Sequence, residues 1–314
     1  PVLTPKPRGA LSEAVFSAMR TGETARLGEA PPQDSAEDAQ LTLWALYEQH
    51  YRSFEDVVGE LEWDPQLIMV RRGLERDFEA TLRSRMPEVP DPEGFEEAFF
   101  AFVAEHDGPS LAAHVHRKAT EEQVHELLRH RTIYHLKEAD HTTWVIPRLS
   151  DRVKAAVMEL QFDEYGNGDP NRLHAHLFVR GLRESGLDAT YGAYIDEAPL
   201  EILEENNAMS LFGLNRRLRA ASLGFLAAFE ATSSAPSRRM AQGLQRLGFP
   251  ESMAEYYTEH VEADAVHEQL AVRTICGALL AEEPALHDDV YLGAFSAMDL
   301  ADRYAERMLA QWAA

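Results

Sequence analysis

The sequence predicts an all-α protein, a bundle of helices packed around one core. Apolar residues recur at helical spacing along nearly the whole chain, whereas the alternation typical of strands is nearly absent. Signals for helix starts recur as well, because an aspartate caps a helix and a proline suits its first position. Such pairs stand at Asp64-Pro65, Asp91-Pro92 and Asp169-Pro170.

The predicted helices follow one another and are separated by short polar or proline-containing stretches. We expect them at about 36–58, 64–86, from 91, 120–146, 150–165, from 169, 200–205 and 210–230, with three more segments after a break at 232–237. Residues 186–199 are predicted to form an irregular loop. Residues 1–35 are predicted to be an N-terminal helical extension, and residues 36–314 one helical domain.

Composition favours a soluble protein and argues against nucleic-acid and membrane partners. Hydrophobic residues make up 45% and charged residues 26% of the chain, as in ordinary globular proteins. No apolar run is long enough to cross a membrane. The net charge of −23 repels phosphate backbones and anionic lipid headgroups. The polar N-terminus predicts no signal or transit peptide, so a cytoplasmic location is expected. The preference for arginine over lysine indicates a GC-rich bacterial genome.

Several common chemistries are not supported by the sequence. Cys276 is the only cysteine, which excludes an internal disulfide, a CxxC redox pair and a thiolate-rich zinc site. There is no phosphate-binding GxxxxGK loop, no HExxH zinc motif and no GxSxG nucleophile elbow. Nucleotide, zinc-protease and serine-hydrolase activities are therefore not predicted.

The segment 260–267 carries the strongest chemical signal. His260, Asp264 and His267 are spaced i, i+4, i+7 and so project from one helix face. That face is continued by Met253, Tyr257, Ala271 and Ile275. Because three titratable groups on an inward face are costly unless something satisfies them, we expect a metal ion, and imidazole with carboxylate suits iron, manganese or zinc. The alternative is a hydrogen-bonded buried His–Asp pair.

Further ligands are expected on other inward-facing helices. Glu138 shares a face with Tyr134, Glu164 ends an apolar stripe, and His174 follows the next turn. Glu138 would otherwise pair with Arg131, and Glu164 would otherwise be a solvated acid at a helix end. Six carboxylate and imidazole ligands from four helices are the number that two iron ions need while leaving positions open for O2.

These residues resemble the haem-oxygenase-like di-iron oxidases and oxygenases, a family of iron-containing redox enzymes. The likeness rests on Glu138 within the segment 134–140, on Glu164 ten residues before His174, and on His260-x3-Asp264-x2-His267. The resemblance implies a haem-oxygenase-like bundle, two Fe(II)/Fe(III) ions held by these six residues with Glu164 bridging, and O2 as co-substrate.

The activity that the resemblance implies is oxidation of a small organic substrate through a peroxo intermediate bridging the two irons. The substrate would be an amino acid, an amine or a carboxylate, and the reaction N-oxygenation, C–C cleavage or desaturation. In relatives that N-oxygenate guanidine groups, the position matched by His260 is an aspartate. Histidine there is similar to members that cleave or rearrange carbon skeletons or process themselves, so the resemblance does not choose the reaction.

Substrate contacts and partners are further expectations. Tyr134 and Tyr257 share the faces of the ligands, and Arg216 and Arg217 would hold a substrate carboxylate, the alternative for the arginines being surface ion pairs. The loop with Tyr191, Tyr194 and Asp196 would cover the pocket or serve only as a connection. An electron donor is a further expected partner. A homodimer is also expected, formed through the helix that bears Leu43, Leu46 and Tyr47.

Three other interpretations stay open at this point. A ferritin-like di-iron bundle would use Glu122-x-x-His125 together with Asp264-x-x-His267. A metal-free helical enzyme or small-molecule-binding module of the same shape would use the inward histidines and acids for proton transfer or hydrogen bonding. A helical interaction protein would have no open cavity.

Overall fold

The computed structural model describes residues 2–314, except for the side chains of residues 262–265. It is an all-α bundle, and the described residues contain no β-strand. The helices are α1 (Ala10–Thr21), α2 (Ala36–Glu48), α3 (Pro65–Arg85), α4 (Phe95–Ala104), α5 (Leu111–Arg117), α6 (Glu121–His135), α7 (Asp140–Thr143), α8 (Asp151–Glu164), α9 (His174–Glu184), α10 (Leu200–Leu214), α11 (Arg219–Arg246), α12 (Glu251–Gln269), a π-helix (Leu270–Cys276), α13 (Gly277–Glu282) and α14 (His287–Ala313). No helix in the described part is long and apolar enough to cross a membrane.

Side-chain caps set several helix starts where the sequence predicted them. Asp64 accepts hydrogen bonds from the backbone of α3, with Pro65 at its first position. Thr120 and Gln123 form a capping box at α6, and Ser150 caps α8. These caps satisfy backbone N–H groups that have no partner inside the helix.

Several predicted boundaries are wrong. The helix predicted at 36–58 ends at Glu48, the one predicted from 91 begins at Phe95, and the one predicted at 200–205 continues to Leu214. Asp169-Pro170 does not start a helix, because the Asp169 side chain accepts from the backbone N–H of Asn171 and forms a turn, so α9 begins at His174. The predicted helix 120–146 is interrupted after His135. The predicted break at 232–237 lies inside α11, which also includes Pro236. There Thr232 donates to the Ala228 carbonyl, and α11 packs against α12, α14 and α5, so tertiary packing outweighs local propensity.

α11 lies at the centre of the bundle, and its crossing with α14 is close. A Cβ atom on Gly224 would lie 1.9 Å from the Val290 carbonyl oxygen, and one on Gly293 would lie 1.8 Å from that of Ala221. Only glycine permits such an approach of two backbones. The crossing fixes the part of α11 that carries Glu230, six residues beyond Gly224.

The N-terminal helices pack onto the same core. α1 contacts α2, and α2 contacts α3 and α10. Leu43, Leu46 and Tyr47 of α2 are buried within this chain, so they do not form the exposed face that the sequence suggested for a homodimer. Association of two chains stays a prediction without that surface.

A buried ion pair joins α2 to the interruption between α6 and α7. Lys137 Nζ lies 2.9 Å from Glu48 Oε2, and both side chains are at most 2% exposed. Glu48 also accepts a hydrogen bond from the Tyr191 hydroxyl. The pair therefore connects the N-terminal helices, the loop at 186–199 and the residue that precedes Glu138.

A π-helix follows directly on α12. It spans seven residues, and Ala271, Val272, Ile275 and Cys276 in it are buried. It packs against α8 and α11. π-helical turns are rare and frequently lie at functional sites.

Candidate metal centre

Six titratable side chains form two groups of three inside the bundle. The first group is Glu138, His174 and His260, and the second is Glu164, Glu230 and His267. In each group one nitrogen or oxygen atom per residue lies within 4.8 Å of the others. We call them the first and second clusters.

Glu138 belongs to the interruption between α6 and α7. The backbone turns there, with N–H groups of Lys137 and Asp140 bonded three residues back. Gln161 of α8 donates to the carbonyl of Ala139 at 2.8 Å, which satisfies a group that a continuous helix would have paired. The Glu138 side chain is 5% exposed and points into the bundle.

A tight turn brings Glu164 and His174 together. Glu164 is the last residue of α8, and His174 is the first residue of α9. Between them Gly166 has a φ of 71°, and a Cβ there would lie 2.6 Å from the backbone of Arg172. As a result, Glu164 Oε2 lies 2.9 Å from His174 Nδ1.

Glu164 belongs to the second cluster and contacts another member of it as well. Its Oε1 lies 3.7 Å from His267 Nδ1, and the same nitrogen lies 3.5 Å from Glu230 Oε2. In the first cluster, His260 Nε2 lies 3.9 Å from Glu138 Oε2. Each oxygen of Glu164 thus faces a histidine of a different cluster.

Neighbouring groups orient these side chains. The Tyr256 hydroxyl donates to Glu138 Oε2 at 2.7 Å, and His135 Nδ1 lies 2.6 Å from that hydroxyl. The backbone carbonyl of Tyr256 lies 2.7 Å from His260 Nδ1, so Nδ1 carries the proton and Nε2 faces the cluster. Such outer contacts fix the tautomer and direction of metal-binding histidines.

Burial and mutual charge shift the protonation of the clusters. Burial, reinforced by the charge of Glu164, raises the pKa of Glu138 to about 8. Burial lowers the pKa of His260 to about 4. Burial lowers the pKa of His174, but the Glu164 carboxylate outweighs burial and raises this pKa to about 10. Burial likewise opposes the charge of His267, but Glu230 raises its pKa to about 9. The imidazolium protons therefore compensate carboxylates that a cation would otherwise neutralise.

The clusters fit iron. Glu138 Oε1 is buried and has no hydrogen-bond donor among the described residues, and leaving such an oxygen without a partner costs about 1–3 kcal/mol. A metal ion would satisfy it. Carboxylate oxygen and imidazole nitrogen without thiolate form the donor set of non-haem iron sites.

The structure brings together five of the six predicted ligands, which are Glu138, Glu164, His174, His260 and His267. The side chain of Asp264 lies outside the described residues, so its role as a ligand stays a prediction. His125, which a ferritin-like arrangement needs, lies outside both clusters and faces the Ser185 carbonyl. Glu164 is not a solvated acid, since its side chain is 10% exposed.

Glu230 is the residue that the sequence analysis missed. It follows Leu223 and Ala227 on one buried face of α11, so the same i, i+4, i+7 spacing that indicated His267 would have indicated it. The predicted break at 232–237 placed Glu230 at a helix end, where a carboxylate is ordinarily solvated.

Two cavities lie beside the clusters. The smaller one, about 40 Å³, is lined by Glu138, Glu164 and Glu230 and by apolar residues of α11. The larger one, about 350 Å³, extends toward the start of α5 and the middle of α14. Tyr134, Phe229 and His260 line both cavities and form what we call the shared wall.

The predicted substrate contacts separate into two pairs. Tyr134 lines both cavities and Tyr257 lines the larger one. Arg216 and Arg217 line neither, and Arg217 forms an ion pair with Glu79. The loop residues Tyr191, Tyr194 and Asp196 also line neither cavity.

Comparison with known proteins agrees with this geometry. A family model described as iron-containing redox enzyme matches residues 125–302, more than half of the chain. The matched region contains both clusters and both glycines at which α11 and α14 cross. A search of curated proteins returned no match. The chain belongs to the iron-containing redox enzyme family, whose members have the haem-oxygenase-like fold.

Proposed function

We propose that this protein is a non-haem di-iron oxidase or oxygenase that uses O2 to oxidise a small organic substrate. The observation that carries the proposal is the pair of three-residue clusters joined by Glu164. Membership of an iron-containing redox family supports oxidoreductase chemistry, and the cavities beside the clusters offer space for a substrate.

Each cluster would hold one ion. Glu138, His174 and His260 would bind the first, and Glu230 and His267 would bind the second, with Glu164 shared between the two. The irons would supply the electrons that reduce O2 and the oxidising power that acts on the substrate. Asp264, between the two histidines of α12, stays a predicted additional ligand.

The protein's own groups hold the ligands in place. Tyr256 acts twice, since its hydroxyl binds Glu138 and its carbonyl fixes the tautomer of His260. Asp163 Oδ2 lies 3.0 Å from His267 Nε2, which leaves Nδ1 facing Glu164 and Glu230. These contacts preorganise the ligand set before a metal enters.

Apolar residues limit water beside the clusters. Phe225, Leu226 and Phe229 of α11 line the smaller cavity together with the carboxylates. A cavity of this size has room for O2 or for a few water molecules. We infer that the substrate occupies the larger cavity and meets the reactive centre at the shared wall.

The proposal is tested by adding Fe(II) without oxygen and measuring iron per chain by Mössbauer spectroscopy and metal analysis, followed by absorbance after mixing with O2. We expect about two irons per chain, and loss of uptake in Glu164→Ala and His267→Ala. His125→Gln is the matched control, because this histidine lies outside both clusters.

Failure to bind iron, or uptake that is the same in the Glu164 and His267 variants as in the parent protein, would overturn the proposal. The metal-free alternative would then be favoured. In that case the His174–Glu164 pair would act as an acid–base pair toward a bound molecule.

A further inference from the structure

The larger cavity contains two opposite charges that form no direct ion pair with each other. Arg131 of α6 and Glu205 of α10 both line it. The other acid at its edge, Asp302, is already paired with His106 at 2.6 Å. Within the described part of the chain, neither Arg131 nor Glu205 has an ion-pair partner within 4.0 Å.

Arg131 lies in the interior, and no described carboxylate is within ion-pair distance of it. Its Nη1 lies 3.5 Å from His135 Nε2, and its Nε is buried and has no hydrogen-bond acceptor among the described residues. The sequence suggests Arg131 as an alternative partner for Glu138, but Arg131 lines the larger cavity instead. Burying a guanidinium without an anion is costly, which indicates that an anion belongs beside it.

Glu205 presents the opposite charge to the same space. Its side chain makes no hydrogen bond to another described residue. Burial raises the pKa of Glu205, and the positive charge of Arg131 acts against that rise. The Tyr257 hydroxyl, which also lines the cavity, is buried and has no partner within the described chain. The cavity thus offers a cation, an anion and a neutral hydroxyl to one occupant.

We propose that the larger cavity binds a zwitterion, a small molecule that carries a carboxylate and a protonated amine, with Arg131 binding the carboxylate and Glu205 the ammonium group. The apolar part of the molecule lies along Met240 and Met298 and reaches the shared wall of Tyr134, Phe229 and His260. That this zwitterion is the substrate oxidised at the clusters rests on the proposed function.

The cavity has a suitable size and one open end. Its volume of about 350 Å³ is within the range of small-molecule sites. The lining residues at the far end from the clusters, Gly108, Pro109 and Asp302, are exposed or partly exposed. A small zwitterion would enter there and pass Arg131 and Glu205 before reaching the shared wall.

The test compares four probes with closely matched skeletons by isothermal titration calorimetry on the metal-free protein. Norleucine and 6-aminohexanoate carry both charges, hexanoate lacks the amine and pentylamine lacks the carboxylate. We expect at least one zwitterion to bind tenfold or more tightly than either singly charged probe, because each charged hydrogen bond contributes about 1.5–3 kcal/mol, a factor of about 10 or more.

Variants assign the two ends. Arg131→Gln should weaken binding of the zwitterion about tenfold or more and leave pentylamine unaffected, and Glu205→Gln should do the same while leaving hexanoate unaffected. Glu204→Gln is the matched control, because Glu204 is the adjacent residue and faces Arg85 and Arg303 instead. Circular dichroism and thermal unfolding verify that each variant is folded.

The inference is overturned if neither zwitterion binds at millimolar concentration, if hexanoate or pentylamine binds as tightly, or if both variants bind like the parent protein. Because calorimetry uses the metal-free protein, these results do not depend on iron. An absence of iron uptake would contradict the proposed function and leave the cavity result intact.

Discussion

Glu230 is the carboxylate that α11 contributes to the clusters. It faces His267 and belongs to the second cluster. We expect Glu230→Gln to lower iron from about two to about one per chain, since an amide is a weaker ligand than a carboxylate for a hard cation. Metal analysis after anaerobic loading and gel filtration measures this. Glu255→Gln, an exposed change on α12, is the control, and an unchanged iron content in the Glu230 variant would contradict its role.

His130 links stability to pH at a position away from the clusters. Burial lowers its pKa to about 4, and its Nδ1 lies 3.0 Å from the Tyr304 hydroxyl. The surrounding charges oppose one another, with Glu126 and Glu197 against Arg129 and Arg307. Because the unfolded chain binds the proton more tightly than the folded one, stability is present above pH 6.5 and is lost as pH falls toward 4.

The measurement for His130 is urea unfolding between pH 7 and pH 4. We expect the parent protein to lose a few kcal/mol more over this interval than His130→Gln does, since a shift of one pKa unit corresponds to about 1.4 kcal/mol. Equal pH dependence of the two proteins would show that His130 does not carry this effect.

At the scale of the helices, the crossing of α11 and α14 depends on the absence of two Cβ atoms. Gly224→Ala would place a methyl group 1.9 Å from a carbonyl oxygen of α14, so the helices must separate. We expect a loss of about 1–3 kcal/mol of unfolding free energy, the range for overpacked cores, measured by chemical denaturation.

Gly73→Ala is the matched control for that crossing. Gly73 lies inside α3, and a Cβ there meets no atom within 4 Å. The same substitution should therefore stabilise the protein by about 0.5–1 kcal/mol through helix propensity. Equal changes in unfolding free energy for the two variants would mean that the close approach of α11 and α14 does not affect stability.

Helix faces could be predicted from the sequence where a regular stripe sets them. The α12 stripe is buried as expected at Met253, Tyr257, His260 and His267, because one spacing decides which side chains face inward. The interruption after His135 could not be foreseen, since it depends on Gln161 of another helix. The placement of two opposite charges in the larger cavity could not be predicted either. Arg131 and Glu205 are distant in sequence and come to line one cavity only through the packing of α6 and α10.

At the scale of the whole molecule, the Lys137–Glu48 pair connects the N-terminal helices to the residue beside Glu138. Lys137→Met leaves a buried carboxylate without its cation, and we expect a loss of about 3–5 kcal/mol in unfolding free energy. The double variant Lys137→Met with Glu48→Gln should recover part of that loss, because no uncompensated charge remains. Denaturant unfolding of the parent, both single variants and the double variant measures the coupling.

Iron affinity provides a second measurement for the same pair. If the pair holds the interruption between α6 and α7 in place, Lys137→Met should weaken iron binding by the first cluster more than by the second. Additive stability losses in the four proteins, together with unchanged iron affinity, would show that the pair is independent of the site.

The π-helix after α12 changes the direction in which the residues after it face, relative to those of α12. A π-turn contains one residue more than an α-turn, and one residue corresponds to about 100° of rotation in an α-helix. The extra residue lets the half of α12 that carries His260 and His267 face the clusters while residues 271–276 keep their own buried face against α8 and α11. A chain shorter by one residue here would keep every ligand in its sequence but rotate the two faces relative to each other by about 100°, so the length of this segment is a constraint on the site in addition to the identity of its ligands.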